Sequence, residues 1–321
     1  MINLLWRTDV HLSDRSPQAR TDDWGATVFD KLSRVRDLAC RVSAHAIIDG
    51  GDFFHVKAPS RNSHELVRRT AEHHAGYPCP VYCVPGNHDC IYGDYSFLPQ
   101  QPLGVLYAAG VFRPLYDQHE AIFVQDGLKV RVVGIPYHGT SYDMGRFTGI
   151  KRGDEDFLIC AAHVLASKQG GTMFEGEDIV KYADLLDTAP DCFMFGHWHK
   201  DQGVEHLGGK MFVNIGSLTR GTLSQDDLGR QPACVLITAE RGKPLGVKVV
   251  RIRVSPPEEV FDLTSRDRQV RQQEDMAAFV EHIREALVPL GHGDTLSDTV
   301  RALPDLPDAV RERALLYLEK A

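Results

Sequence analysis

No apolar run in these 321 residues approaches the roughly 20 needed to cross a bilayer, so a membrane-spanning helix is not expected. The opening Met1–Trp6 stretch is too short, and lacks the basic leader, for a secretory signal; it reads as a first strand. Cysteine is sparse and odd in number. Seven residues scattered through strand-like segments argue against a disulfide framework and for a reducing compartment, with cytoplasm the default. Cys79 and Cys83 flank a buried strand with no second pair after them, and read as packing thiols. Basic charge is also short: 36 Lys and Arg against 44 Asp and Glu leave a net charge of −8. That argues against a free-standing nucleic-acid binder, though not against a DNA enzyme that borrows affinity from a partner. From Ser255 onward the chain carries 14 acidic and 8 basic residues, so most of the imbalance sits there. No internal repeat or low-complexity tract appears.

What is present is ordinary soluble-protein composition, 43% apolar and 25% charged, in a length that suits one large domain with or without a smaller one. Strand-like and helix-like segments alternate. Ile2–Arg7, Ala46–Asp49 and Val81–Val84 read as strands, separated by helical spacing over Ala26–Ser43 and Ser63–His74. That order predicts parallel strands with crossover helices, an α/β fold. Ala121–Gln125 and Lys129–Ile135 flank an Asp126-Gly127 turn, a hairpin signal. Phe157–Ala161 and Cys192–Phe195 are short buried strands. Lys210–Asn214, Ala233–Thr238 and Val247–Val254 suggest a second, more antiparallel sheet.

A boundary is expected near Ser255-Pro256-Pro257, giving a main domain over 1–254 and a small helical region over 255–321. Met276, Phe279, Val280, Ile283 and Leu287 share one helical face, and Leu306, Val310, Ala314, Tyr317 and Leu318 another. The pair either packs on the main domain, docks a partner or forms a reduced substrate cap.

The chemistry lies in five short blocks: Asp9-Val10-His11, Gly51-Asp52, Gly86-Asn87-His88-Asp89, Ala162-His163 and Gly196-His197-Trp198-His199. Four follow apolar runs, which places their ligands just beyond strand ends. Without His88 and Asp89 they supply two Asp, four His and one Asn, enough for two divalent cations around a shared carboxylate. The two-apart spacing of Asp9 and His11, and of His197 and His199, puts each pair on one face if the backbone is extended. Oxygen and imidazole donors together suit manganese, iron or zinc. His88, beside Asn87, projects toward substrate as a catalytic imidazole, with Asp89 orienting its ring. No Ser, Cys or Thr nucleophile is needed. His55 and His138 follow stretches leading into the site and are candidate substrate contacts.

In order and spacing these blocks resemble the calcineurin-like metallophosphoesterase superfamily, over roughly Met1 to Val254. The resemblance implies a β-sandwich flanked by helices. It also implies one metal on Asp9, His11, Asp52 and His199 and a second on Asp52, Asn87, His163 and His197, with His88 catalytic and Asp89 its partner. Within that superfamily, Gly51-Asp52-Phe53-Phe54-His55, Val84 to Asp89, Gly134-Ile135-Pro136-Tyr137, Gly196 to Lys200 and Asn214-Ile215-Gly216-Ser217 are similar to the SbcD-type nuclease subunit of the double-strand-break repair complex. That likeness implies a DNA exo- and endonuclease with two divalent cations, manganese before iron, zinc or magnesium. It further implies a homodimer working with an SMC-like ATPase of the SbcC type, away from membranes. The short region after Ser255 looks like a phage or reduced bacterial version. A phosphoesterase acting on a cyclic nucleotide, nucleotide or phosphoprotein is the alternative, and a degenerate binding scaffold the third reading.

Overall fold

The computed structural model describes residues 1–91, 94–170 and 176–264, with Val300, Arg301, Arg311, Glu312 and Leu315. Two compact units divide the chain, Met1–Asp262 and Leu263–Ala321. In the second, the Met276–Leu287 helix expected from the sequence lies outside the described residues. Of the expected Leu306–Leu318 helix only Arg311, Glu312 and Leu315 are described, all helical.

The first unit opens with strand β1 (Ile2–Arg7), helix α1 (Trp24–Arg41), β2 (Ala46–Asp49), helix α2 (His64–Ala75) and β3 (Val81–Cys83). Helix α3 (Pro102–Ala108) and β4 (Phe112–Pro114) follow, then β5 (Ala121–Gln125), β6 (Leu128–Ile135) and β7 (Phe157–His163). Two short strands, β8 (Ala166–Ser167) and β9 (Val180–Lys181), precede β10 (Cys192–Gly196), β11 (Asp201–Leu207), β12 (Lys210–Ile215), β13 (Ala233–Ala239) and β14 (Gly246–Arg251). The helices start where capping chemistry allows. Asp23 accepts from the Ala26 N–H ahead of α1, and Ser63 from the Leu66 N–H ahead of α2.

Two six-stranded sheets result, ordered β14-β13-β1-β2-β3-β4 and β11-β12-β10-β7-β6-β5. β1 to β4 run parallel, as do β6, β7, β10 and β12, which is the βαβ logic legible in the sequence. The strand grouping expected at the C-terminal side is corrected here. β12 joins the second sheet in parallel with β10, whereas β13 and β14 extend the first sheet antiparallel to β1. β12 is buried along almost its whole length, while β13 and β14 alternate in part, and burial says which residues are covered but not which strand lies alongside.

Alternate residues of both sheets interleave in one core, with Leu4, Trp6, Ile48, Val132, Ile159, Met194, Val213 and Val235 among those buried. The opposite face of the first sheet, Leu5, Ile47 and Val81, is covered by Val28, Leu32 and Val35 of α1, Leu66 of α2 and Leu106 of α3. The second sheet's outer face carries Phe195 and Phe212, each stacked with Tyr182 and with Phe193. This is the sandwich flanked by helices. The unit does not stop at Ser255-Pro256-Pro257: Val260 and Phe261 are buried, and the Phe261 ring lies under the Arg20 guanidinium at 4.7 Å.

Candidate metal centre

The five motif blocks all leave the carboxyl ends of parallel strands, where both sheets turn their edges to the same place. Asp9 and His11 follow β1, Asp52 follows β2, and Asn87 and His88 follow β3. His163 ends β7, and His197 and His199 follow β10. The loops after β1 and β2 run side by side, through Asp9 N–H to Gly51 O (3.0 Å) and His11 N–H to Asp52 O (2.9 Å). The indole N–H of Trp24 fixes the loop from α1 by donating to the His11 carbonyl at 3.1 Å.

The two-apart spacings work by a different backbone from the extended one expected. Asp9 (φ 53°), His11 (φ 50°), Asp52 (φ 53°) and His197 (φ 91°) all sit in the left-handed region. Such conformations are strained for L-residues and concentrate at functional sites. Here Val10, fully buried between Asp9 and His11, anchors the turn that brings both to one point. The glycines of the motifs provide room. A Cβ on Gly86 would lie 2.2 Å from Asp52 Oδ1, and Gly51 holds φ 98° with Val84 O and His163 Nδ1 each 2.8 Å from where a Cβ would be.

Among the described residues three groups of donor atoms each lie within 4.8 Å; two contain a carboxylate, Asp9 with His11 and His199 and Asp52 with His163 and His197, and the third is His11, His55 and His88 at the rim. Asp52 stands between them, with Oδ2 3.7 Å from His11 Nε2 and Oδ1 3.5 Å from His163 Nε2. His199 Nε2 lies 3.6 Å from Asp9 Oδ1, and Asn87 Oδ1 lies 3.2 Å from His163 Nε2. His163 Nδ1 meets the Gly50 carbonyl at 2.7 Å; a carbonyl only accepts, so this nitrogen carries a proton and Nε2 is turned to the cluster. Burial pushes the Asp52 carboxyl up, but His163, His11 and His88 outweigh it and hold it well below the usual range. Asp9 is likewise held low, burial being overcome by His199 and His163. Burial alone would lower His163, yet Asp52 and Asp9 raise it to about 9. Two buried carboxylates and a crowd of imidazoles, with no Lys or Arg among them, are the donor set of a divalent cation pair.

Residues 4–201 match the model of the calcineurin-like phosphoesterase family. The chain belongs to the calcineurin-like phosphoesterase family. A 227-residue stretch is 22% identical to the DNA double-strand break repair protein Mre11 of Saccharolobus solfataricus, covering 71% of this chain and 52% of that one. The chain thus spans about half the length of that curated relative. A solved dimetal phosphatase from Danio rerio superposes with a TM-score of 0.52 at 13% identity, over 79% of this chain and 97% of that chain. This second likeness speaks for the fold. As a calcineurin-like phosphoesterase the chain is a metal-dependent hydrolase of phosphoester bonds.

Around this phosphoesterase centre the remaining expected residues fall in different places. His88 stands at its rim, half-buried, and its backbone N–H donates to Asp52 Oδ1 at 2.7 Å. Its ring is oriented by the His55 carbonyl, 2.5 Å from Nδ1, and not by Asp89. Asp89 points inward instead, and its carboxylate accepts backbone N–H groups from Gly86 (3.0 Å), Phe53 (3.3 Å) and Phe54 (3.3 Å). It therefore ties the loop after β2 to the loop after β3. Burial, and next the charge of Asp52, push its carboxyl up to about 8. His55 is brought into the site: its ring stacks on His88 at 5.1 Å, and its Nδ1 is 3.3 Å from His11 Nδ1. His138 is not. Its Nδ1 takes the Pro136 carbonyl (2.9 Å) and its Nε2 accepts the Asp143 N–H (3.1 Å), so both nitrogens serve its own loop.

Two features escaped the sequence. Glu177 Oε1 lies 2.9 Å from His197 Nε2 and accepts the Tyr142 hydroxyl at 2.5 Å. It sits in a segment without periodicity or motif, so nothing local marked it. Beneath the centre, Arg7 is engaged by Asp49, Tyr77 and His74. All seven cysteines are free. Burial pushes the Cys79 thiol up to about 11, which suits a packing role. Among the described residues no helix is long and apolar enough to cross a membrane.

Proposed function

We propose that this phosphoesterase is a two-metal DNA nuclease cleaving phosphodiester bonds, and that it works with an SMC-like ATPase in processing DNA ends. The observation that carries the reading is the pair of donor clusters meeting at Asp52, with His88 at their rim. Asp9, His11, Asp52 and His199 would hold one cation, and Asp52, Asn87, His163 and His197 the other; manganese suits these donors. Bound there, the two cations would neutralise a phosphodiester's charge and bring a water's pKa toward neutrality. His88 then works from outside that pair. With Nδ1 donating to the His55 carbonyl, Nε2 is left to face the substrate, and the imidazolium form, which carries a proton there as well, can hand it to a leaving alkoxide. His55, stacked on it, limits how far that ring can turn.

DNA as substrate is supported by the likeness to the repair protein and by the motif-flanking segments already named. The ATPase partner and a homodimer rest on the same likeness. The net charge of −8 favours a second reading, a phosphoesterase for a small nucleotide or a phosphoprotein, because a long polyanion would be repelled unless a partner supplies affinity.

The test is digestion of end-labelled duplex and single-stranded DNA with manganese, beside bis-p-nitrophenyl phosphate, for native protein and His88→Ala. DNA loss that disappears in His88→Ala supports the nuclease reading. Turnover of the small diester with DNA left intact, even with the cognate ATPase added, moves the assignment to the second reading.

A further inference from the structure

Away from the metal centre, a cavity of about 680 Å³ opens beside the first two turns of α1 and the chain leaving β14. Its size falls in the ~300–1,000 Å³ range of small-ligand sites. For a chain of net charge −8 its lining is oddly basic, with Arg20, Lys31, Arg34, Arg220 and Arg253 against Asp30 and Glu259. Two of those cations are already matched. Arg20 pairs with Asp22 at 2.6 Å while stacking on Trp24, and Arg34 pairs with Asp30 at 2.7 Å.

The other three have no acid of their own. Lys31 is 4% exposed yet has no hydrogen-bond or ion-pair partner among the described residues. Arg220, 3% exposed, spends its terminal nitrogens on the Leu228 and Ser255 carbonyls, and its Nε has no acceptor. Arg253 is exposed on the rim. Glu259, the one unpaired carboxylate, bonds to none of them. A lysine only 4% exposed and set beside two guanidinium groups is costly to keep charged, and residues so buried are normally paired. Burial, Arg20 and Arg220 together bring Lys31 down to about 7, a penalty that a bound anion would relieve.

We propose that this cavity binds a phosphate group, carried either by a free nucleotide or by a nucleic-acid backbone. Phosphate brings up to two charges and several acceptor oxygens, which suits Lys31 and Arg253, with the un-neutralised charge and free Nε of Arg220 behind them, better than a lone carboxylate does. The site is separate from the metal centre and does not depend on what that centre hydrolyses.

Calorimetric titration of the full, metal-loaded chain in phosphate-free buffer tests it. The probes are pyrophosphate, a short single-stranded oligonucleotide and a glutamate-rich peptide. The variants are Lys31→Met and Arg253→Gln, the second, at an exposed position, checked for an unchanged melting profile. Because the metal centre also takes phosphates, the readout is the binding event lost relative to native protein. The expected result is at least a tenfold loss of one pyrophosphate-binding event in both variants. An equal loss for the oligonucleotide identifies the backbone as the source, and unchanged oligonucleotide binding identifies a free nucleotide. Native-like pyrophosphate binding by Arg253→Gln and Lys31→Met overturns the proposal, as does displacement seen with the peptide alone.

Discussion

Arg7 and Asp49 form an ion pair with no solvent contact, Nε to Oδ2 at 2.6 Å, directly behind the loop that carries Asp52. Asp49 Oδ1 accepts the Gly51 N–H at 3.2 Å, so the pair holds the backbone of the Gly51-Asp52 turn. Arg7 is in turn met by His74 Nε2 at 3.1 Å and by the Tyr77 hydroxyl at 3.1 Å. His74 Nδ1 contacts the Thr70 carbonyl at 2.8 Å, which leaves Nε2 as an acceptor on a neutral ring. Burial and the Arg7 charge both push His74 well below its ordinary value. His74, which on helix position alone would be read as a charge on the last turn of α2, thus serves a buried arginine.

Removing one member of this pair should be far worse than removing both. Arg7→Met leaves Asp49 buried and unpaired, at a cost on the order of 3–5 kcal/mol. The Arg7→Met/Asp49→Asn double variant should recover a large part of that. Urea unfolding of the two variants and native protein measures it.

Gly86→Ala should abolish most metal binding while the fold persists. The added methyl meets Asp52 Oδ1 and the Asp52 backbone, which moves the carboxylate that stands between the two clusters. A loss of about 10–100-fold in manganese affinity is expected. In native protein, manganese at a hundredfold excess over its dissociation constant should add about 2.7 kcal/mol of stability that a chelator removes. Calorimetry and melting curves read both.

Asp89→Asn distinguishes loop support from ring orientation. Its carboxylate accepts three backbone N–H groups, and an amide nitrogen cannot replace the second oxygen for them. The variant should weaken metal affinity while turnover at saturating manganese holds. Native metal affinity with turnover lost would instead make Asp89 the partner of His88.

His55→Ala should lower kcat/KM for a diester by about tenfold, a modest effect at the low end for a positioned acid's support. His138→Ala should leave turnover within twofold of native protein, because its nitrogens are spent within its own loop.

Lys31 gives a pH signature on stability. Its folded pKa is depressed toward about 7 from an ordinary 10.5, so the unfolded chain binds more protons between those values. Stability therefore rises with pH across that window, and the penalty is fully present below it. Lys31→Met should be more stable than native protein at neutral pH, by an amount on the order of a few kcal/mol. That advantage should shrink toward pH 10. Denaturant midpoints in phosphate-free buffer at two pH values check it.

The candidate donors were legible because each lies within four residues of a strand end, and strand ends show in sequence as apolar runs followed by Gly, Asp or His. The same is true of β1, β2 and the hairpin of β5 and β6, whose residue patterns report burial directly. The family follows from those blocks and their order. Other facts depend on pairings over long separations. β13 finds β1 across more than two hundred positions, and no local pattern distinguishes that edge from the one β12 occupies. Asp89 faces Phe53 and Phe54 rather than its neighbour His88 because the turn aims adjacent side chains apart. Arg7 reads as an odd residue before a motif until Asp49, Tyr77 and His74 close around it. Which residue types could bind two cations was decided by the sequence. That they meet at Asp52 required both sheets to be packed face to face with their strand ends together, so that His163 at the end of β7 bonds to the Gly50 carbonyl just past β2.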